Sequence, residues 1–97
     1  MNLTVDQLKN VEKYASLFLS PYEIAVLIDE CPIQFIKELQ SIKSPLALAY
    51  NKGKTRTKAE IREKVVSHAK MGSPTAQALA EKYIEEQKIS EDVYYQV

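Results

Sequence analysis

The stretch Ser20-Pro21-Tyr22-Glu23-Ile24-Ala25-Val26-Leu27-Ile28 specifies both where a helix begins and which of its sides is apolar. Ser20 is a good N-cap, and Pro21 suits the first helical position, where its missing N–H is not needed. Glu23 completes a Ser-x-x-Glu capping box by reaching back to the Ser20 amide. Ile24, Ala25, Leu27 and Ile28 supply apolar residues at one-, three- and four-residue spacing, and the small Ala25 lets a neighbouring helix come close. A short helix of this kind seats two partners, so the rest of the chain is expected to pack around it as helices.

Working outward, Thr4 and Gln7 form a second capping box that opens a first helix, with Leu3 as the preceding hydrophobic residue. Leu8, Val11, Ala15 and Phe18 recur along it at spacings of three and four, predicting an amphipathic helix of about four turns. On the other side, Asp29-Glu30-Cys31-Pro32 makes a turn, because Pro32 disfavours helix at Cys31 and fits the first turn of a third helix. Ile33, Phe35, Ile36 and Leu39 are the expected core face of that helix, leaving Gln34, Lys37, Glu38, Gln40 and Ser41 outward. The order helix, turn, helix predicts a helix-turn-helix whose third helix is the recognition helix. Gln34 and Gln40 would then address base edges and Lys37 or Lys43 a phosphate, although Glu38 faces the same polyanion and the segment has no Arg. The competing reading is that these Gln and Lys residues serve only solubility.

Ser44-Pro45 repeats the Ser20-Pro21 device and begins a fourth helix, with apolar positions at Leu46, Ala49, Tyr50, Gly53, Thr57, Ile61, Val65, His68 and Ala69. Gly53 either marks a close helix approach or breaks the segment, and Thr57-Lys58-Ala59-Glu60 encodes a restart. One long helix with a weak point near Gly53 is the favoured expectation. Lys52, Lys54, Arg56, Lys58, Arg62 and Lys64 spread around much of its surface. Gly72-Ser73-Pro74 then stops one helix and starts the next, so the two turn back on each other as an antiparallel hairpin, with Ala76, Leu79, Ala80, Tyr83 and Ile84 on the apolar face of the last helix. Lys88 to Val97 has weak periodicity and is expected to be a frayed tail or a partner-docking segment.

The fold class read from these signals is all-α: an N-terminal helix-turn-helix unit of three helices over 1–43, a helical hairpin over 44–89 and an acidic tail over 90–97. The apolar share of 45% and charged share of 27% are ordinary for a soluble globular chain. The longest apolar run, Ile24 to Ile28, is far too short to span a bilayer. No membrane partner is expected. The N-terminus has neither a basic nor an apolar signal region and the single Cys31 has no internal disulfide partner, so a cytoplasmic location is expected.

The formal net charge of zero conceals a division along the chain. Residues 1–50 carry four Lys against six acids, 51–82 eight Lys or Arg against three Glu, and 83–97 one Lys against four acids. Such segregation suits either a polyanion-facing surface or head-to-tail complementarity between subunits.

Catalytic chemistry finds little to work with. His68 has no second His, Cys or Asp at metal-ligand spacing, and Cys31 precedes a proline with no residue marked to orient a base. Glu85-Glu86 and Glu91-Asp92 are adjacent pairs whose members point apart on a helix. Gly53 and Gly72 lie too far apart for a phosphate-cradling loop. Neither an enzyme nor a cofactor is expected.

Two stretches carry a resemblance to a known family. Tyr22-Glu23-Ile24-Ala25-Val26-Leu27 followed by Phe35 is similar to an EIA-x-x-L … F helix-turn-helix pattern. Ala49-Tyr50-Asn51-Lys52-Gly53, then Ala59-Glu60-Ile61-Arg62, then Ala69-Lys70-Met71-Gly72-Ser73-Pro74-Thr75-Ala76-Gln77 is similar to an A-x-x-x-G … A … A-x-x-G-(N/S/D)-x-x-A run. Together, over about residues 13 to 80, they resemble the small terminase subunits of phages, which start viral DNA packaging. The resemblance implies duplex DNA as partner, with contacts at Gln34, Lys37 and Gln40, and a homo-oligomer of ring form built by the hairpin. It also implies a large terminase motor subunit as a further partner. The chain departs from that pattern in a recognition helix poor in basic residues and in having only Lys88 to Val97 where longer members carry a motor-engaging segment. Lys43, Lys52, Lys54 and Arg56 are the remaining candidate phosphate contacts. Two other functions fit the same residues: a small dimeric transcriptional regulator, or a structural or protein-interaction module that does not bind DNA.

Overall fold

A computed structural model describes residues 1–95, and every regular element among them is an α-helix. These are α1 (Val5–Ser16), α2 (Pro21–Leu27), α3 (Pro32–Leu39), α4 (Pro45–Lys70) and α5 (Pro74–Tyr95). Each expected start is made by the residues that encode it. The Gln7 amide donates to Thr4 Oγ1 at 3.1 Å while the Thr4 amide donates to Gln7 Oε1 at 2.9 Å. The same reciprocal pair joins Ser20 and Glu23, at 3.2 and 2.9 Å. Ser44 Oγ accepts from the Ala47 amide at 3.0 Å, and Ser73 Oγ from the Ala76 amide at 3.3 Å.

The ends of α1, α2 and α4 share one device. At Gly72, with φ of +98°, the Gly72 amide donates to Ala69 O and the Ser73 amide to His68 O, both at 3.1 Å, which is the Schellman pattern. Asp29 and Phe18 occupy the equivalent left-handed position after α2 and α1, with φ of 59° and 61°. The Glu30 amide reaches Ala25 O at 2.9 Å and the Leu19 amide reaches Tyr14 O at 3.3 Å. Phe18 therefore leaves the apolar stripe expected of it. The helix stops before it, and Phe18 is 56% exposed.

The chain forms two compact units, Met1–Lys58 and Ala59–Val97, with α4 contributing to both. The Ser44-Pro45 cap thus starts a helix but not a compact unit, because Leu46 and Ala47 in its first turn are buried with the preceding helices. The core of the first unit is Val11, Ala15, Ile24, Ala25, Ile28, Phe35 and Leu46, with Leu3, Tyr14, Leu19, Leu39, Ala49 and Tyr50 packed against it. Leu27 was expected inside and is 52% exposed.

α4 runs through Gly53 without a break, and Gly53 is buried against α1. A Cβ at that position would collide with the carbonyl oxygen of Glu12 and lie 2.9 Å from its carbonyl carbon. Of the two meanings open for this glycine, it marks a close approach.

In the second unit Arg62 stacks on the Tyr83 ring, 4.1 Å from its centroid, and donates to Glu86 Oε2 at 2.9 Å. Nearer the Gly72 turn, Gln77 Nε2 donates to Ala69 O at 3.2 Å. α5 continues as helix through the segment expected to fray, as far as Tyr95, while Gln96 and Val97 lie outside the described residues.

Candidate nucleic-acid interface

α3 is an eight-residue helix, so it buries one narrow stripe and exposes the rest. Phe35 is fully buried and Leu39, four residues on, is half-buried, which sets the inward side. Ile33, Ile36, Lys37 and Gln40 then follow at i, i+3, i+4 and i+7, the spacing of a single helix face. All four are exposed, Ile33 at 69% and Ile36 at 41%. Ile33 and Ile36 were expected in the core. They are out because Phe35 and Leu39 already occupy the only stripe that so short a helix can bury. Gln34 is exposed at the edge of the same face.

The turn and cap around α3 are held at both ends. Gln7 Nε2 of α1 donates to Glu30 Oε1 at 3.3 Å, ahead of Cys31, which caps α3 without a side-chain hydrogen bond and is exposed. At the other end Ser44 Oγ donates to Glu38 O at 3.1 Å while capping α4. Glu38 is half-buried, and Lys43 is exposed in the turn between α3 and α4. From Asp29 to Lys43 three carboxylates outnumber two lysines, so any attraction of α3 for a polyanion is weak in net charge.

The basic residues of α4 are divided differently. Lys52 Nζ and Arg56 Nη2 converge on one oxygen, Glu12 Oε1, at 3.8 and 3.3 Å. Among the described residues this buried oxygen has no hydrogen-bond donor, and the two cations offset its charge. Both cations remain well exposed, at 67% and 54% of their side chains. Lys54 lies elsewhere on the helix, its ammonium 4.9 Å from the centroid of Tyr50. The candidate cations thus separate into an acid-tied pair and a lysine held over an aromatic ring. Arg62 is engaged with Tyr83 and Glu86.

Comparison with known protein families, curated proteins and solved structures found no match.

Among the described residues, the Glu23 carboxyl is clearly shifted. The Ser20 backbone amide, and then the Ser20 hydroxyl, hold the Glu23 carboxyl below its ordinary range, against a small opposing effect of burial. This is a helix-start effect rather than a catalytic one. His68 is exposed near the end of α4, and among the described residues no group of three or more His, Cys, Asp or Glu is placed to hold a metal ion. The residues missed from sequence are Ile33 and Ile36. Their signal was their three- and four-residue spacing to Lys37 and Gln40, which joins them to the polar face.

Proposed function

We propose that the chain is a DNA-binding adaptor of the small-terminase kind, working as a homo-oligomer on duplex DNA. In this reading α1 to α3 form a helix-turn-helix that lays α3 in the major groove. The pairing of α4 with α5 is an antiparallel hairpin that assembles subunits into a ring, and the assembly hands DNA to a large motor subunit. The observation that carries the reading is the split of the first motif. Ile24, Ala25 and Phe35 of the motif are buried with the adjacent Ile28, while Gln34 and Lys37 on α3 and Gln40 at its C-cap are all exposed. Lys43, Lys52, Lys54 and Arg56 are exposed in the same unit and supply phosphate contacts.

Fluorescence anisotropy of a labelled duplex, titrated with the full chain at several salt concentrations, tests this. Binding should weaken steeply as salt rises, and Lys37→Ala should lower affinity and reduce the salt slope by about 1. A second reading, a protein-interaction module without DNA binding, is favoured by the exposed Ile33 and Ile36 and by the excess of carboxylates around α3. Failure to bind any duplex at low salt would establish it over the first.

A further inference from the structure

The exposed face of α3 combines a particular set of groups: two isoleucines, two glutamines and one lysine, with no arginine from Pro32 to Lys43. Major-groove chemistry assigns each of these a preferred partner. A glutamine amide donates to adenine N7 and accepts from adenine N6, and a branched apolar side chain packs on the C5-methyl of thymine. Guanine is read chiefly by arginine, or by lysine, at O6 and N7. We propose that this face reads A·T base pairs in the major groove, with Gln34 and Gln40 directed to adenine and Ile33 and Ile36 to thymine methyl groups. This specificity rests on the DNA-binding function proposed above and says which duplexes that function selects.

Burial and charge support the assignment independently of motif. Ile33 at 69% and Ile36 at 41% exposure place branched apolar surface on the outward side of the helix, where water solvates it poorly. Ile33 lies in the first turn of α3, the part of a recognition helix that approaches base edges, and Ile36 follows one turn on along the same side. Lys37 lies within the stripe, and with three carboxylates between Asp29 and Lys43 it is the only cation on the helix. Its single ammonium serves a phosphate, and a face so poor in positive charge gains its affinity from shape and apolar contact. Such contact is worth most where thymine methyls line the groove.

The experiment is competition anisotropy with the full chain at low salt and three unlabelled duplexes of equal length. One alternates A·T, one alternates G·C, and one replaces every thymine of the first with uracil. Uracil keeps the base pairing and deletes only the C5-methyl from the major groove. The A·T duplex should compete about tenfold better than G·C, and the A·U duplex should fall between them. Ile33→Ala with Ile36→Ala should abolish the difference between A·T and A·U. Gln34→Ala with Gln40→Ala should shrink the difference between A·T and G·C and leave the methyl effect in place. These side chains are exposed, so circular dichroism should show the fold unchanged in both variants. Equal competition by all three duplexes, with binding itself intact and salt-dependent, would overturn the A·T reading while leaving DNA binding standing. No binding to any of them overturns both. A preference for A·T that survives both double substitutions would place recognition elsewhere and overturn the assignment to α3.

Discussion

Phe18 shows how a single residue can be placed against its own preference. An aromatic L-residue at φ of 61° suffers contact between its Cβ and the neighbouring carbonyl oxygen, and glycine avoids this altogether. The position is imposed from outside. α1 must end before Ser20-Pro21 opens α2, and the Schellman bonds from Phe18 and Leu19 to Ala15 and Tyr14 close it in the space left. More than half exposed as a residue, Phe18 recovers little by burial. Phe18→Gly is expected to stabilise the fold by about 1 kcal/mol, read as a higher midpoint in thermal unfolding. A lower midpoint would mean that the ring packs more productively than its exposure indicates. Gly72 was legible at the same kind of position because glycine, serine and proline announce such a stop. Phe18 was not, since nothing in an aromatic residue signals a left-handed backbone.

At the scale of elements, the helix starts were legible because capping is local: Thr4, Ser20, Ser44 and Ser73 each bond an amide three residues on. The facing of α3 was less legible. Its eight residues carry apolar side chains on both arcs, and only tertiary contact chooses Phe35 over Ile33 and Ile36. Gly53 belongs to this scale too, since its role was one of two that sequence left open. By helix propensity alone, Gly53→Ala should stabilise α4 by about 1 kcal/mol. Its new Cβ would instead press on the main chain of Glu12, which cannot swing aside as a flexible side chain would. The expected result is therefore a net loss of about 1–3 kcal/mol from forced separation of α1 and α4. The same separation would loosen the hold of Glu12 on Lys52 and Arg56. Chemical denaturation of the variant decides the sign. A gain in stability would show that the helices part freely.

At the scale of the whole molecule, the division after Lys58 separates a unit with a well-buried core from one whose large apolar residues are mostly on the surface. In the second unit Ala76 is buried, whereas Ile61, Ile84, Ile89 and Val93 are 48%, 57%, 58% and 64% exposed. This much exposed aliphatic surface on paired helices is what association between copies would cover. Light scattering at low salt should therefore give a mass several times the 11.0 kDa of one chain. Ile84→Lys with Ile89→Lys should reduce it toward a single chain without loss of helix. The DNA consequence follows from linkage of sites. Weak recognition units held in one assembly gain affinity through effective concentration, so the dissociated variant should bind a long duplex far more weakly than the parent while its α3 residues stay unchanged. A parent that is already a single chain would remove assembly from the mechanism. A dimer that protects two half-sites about one helical turn apart would instead point to an operator-binding regulator. If the substituted chain loses mass yet keeps its full affinity for long duplexes, one copy suffices for DNA recognition, and the exposed faces of the second unit serve assembly alone.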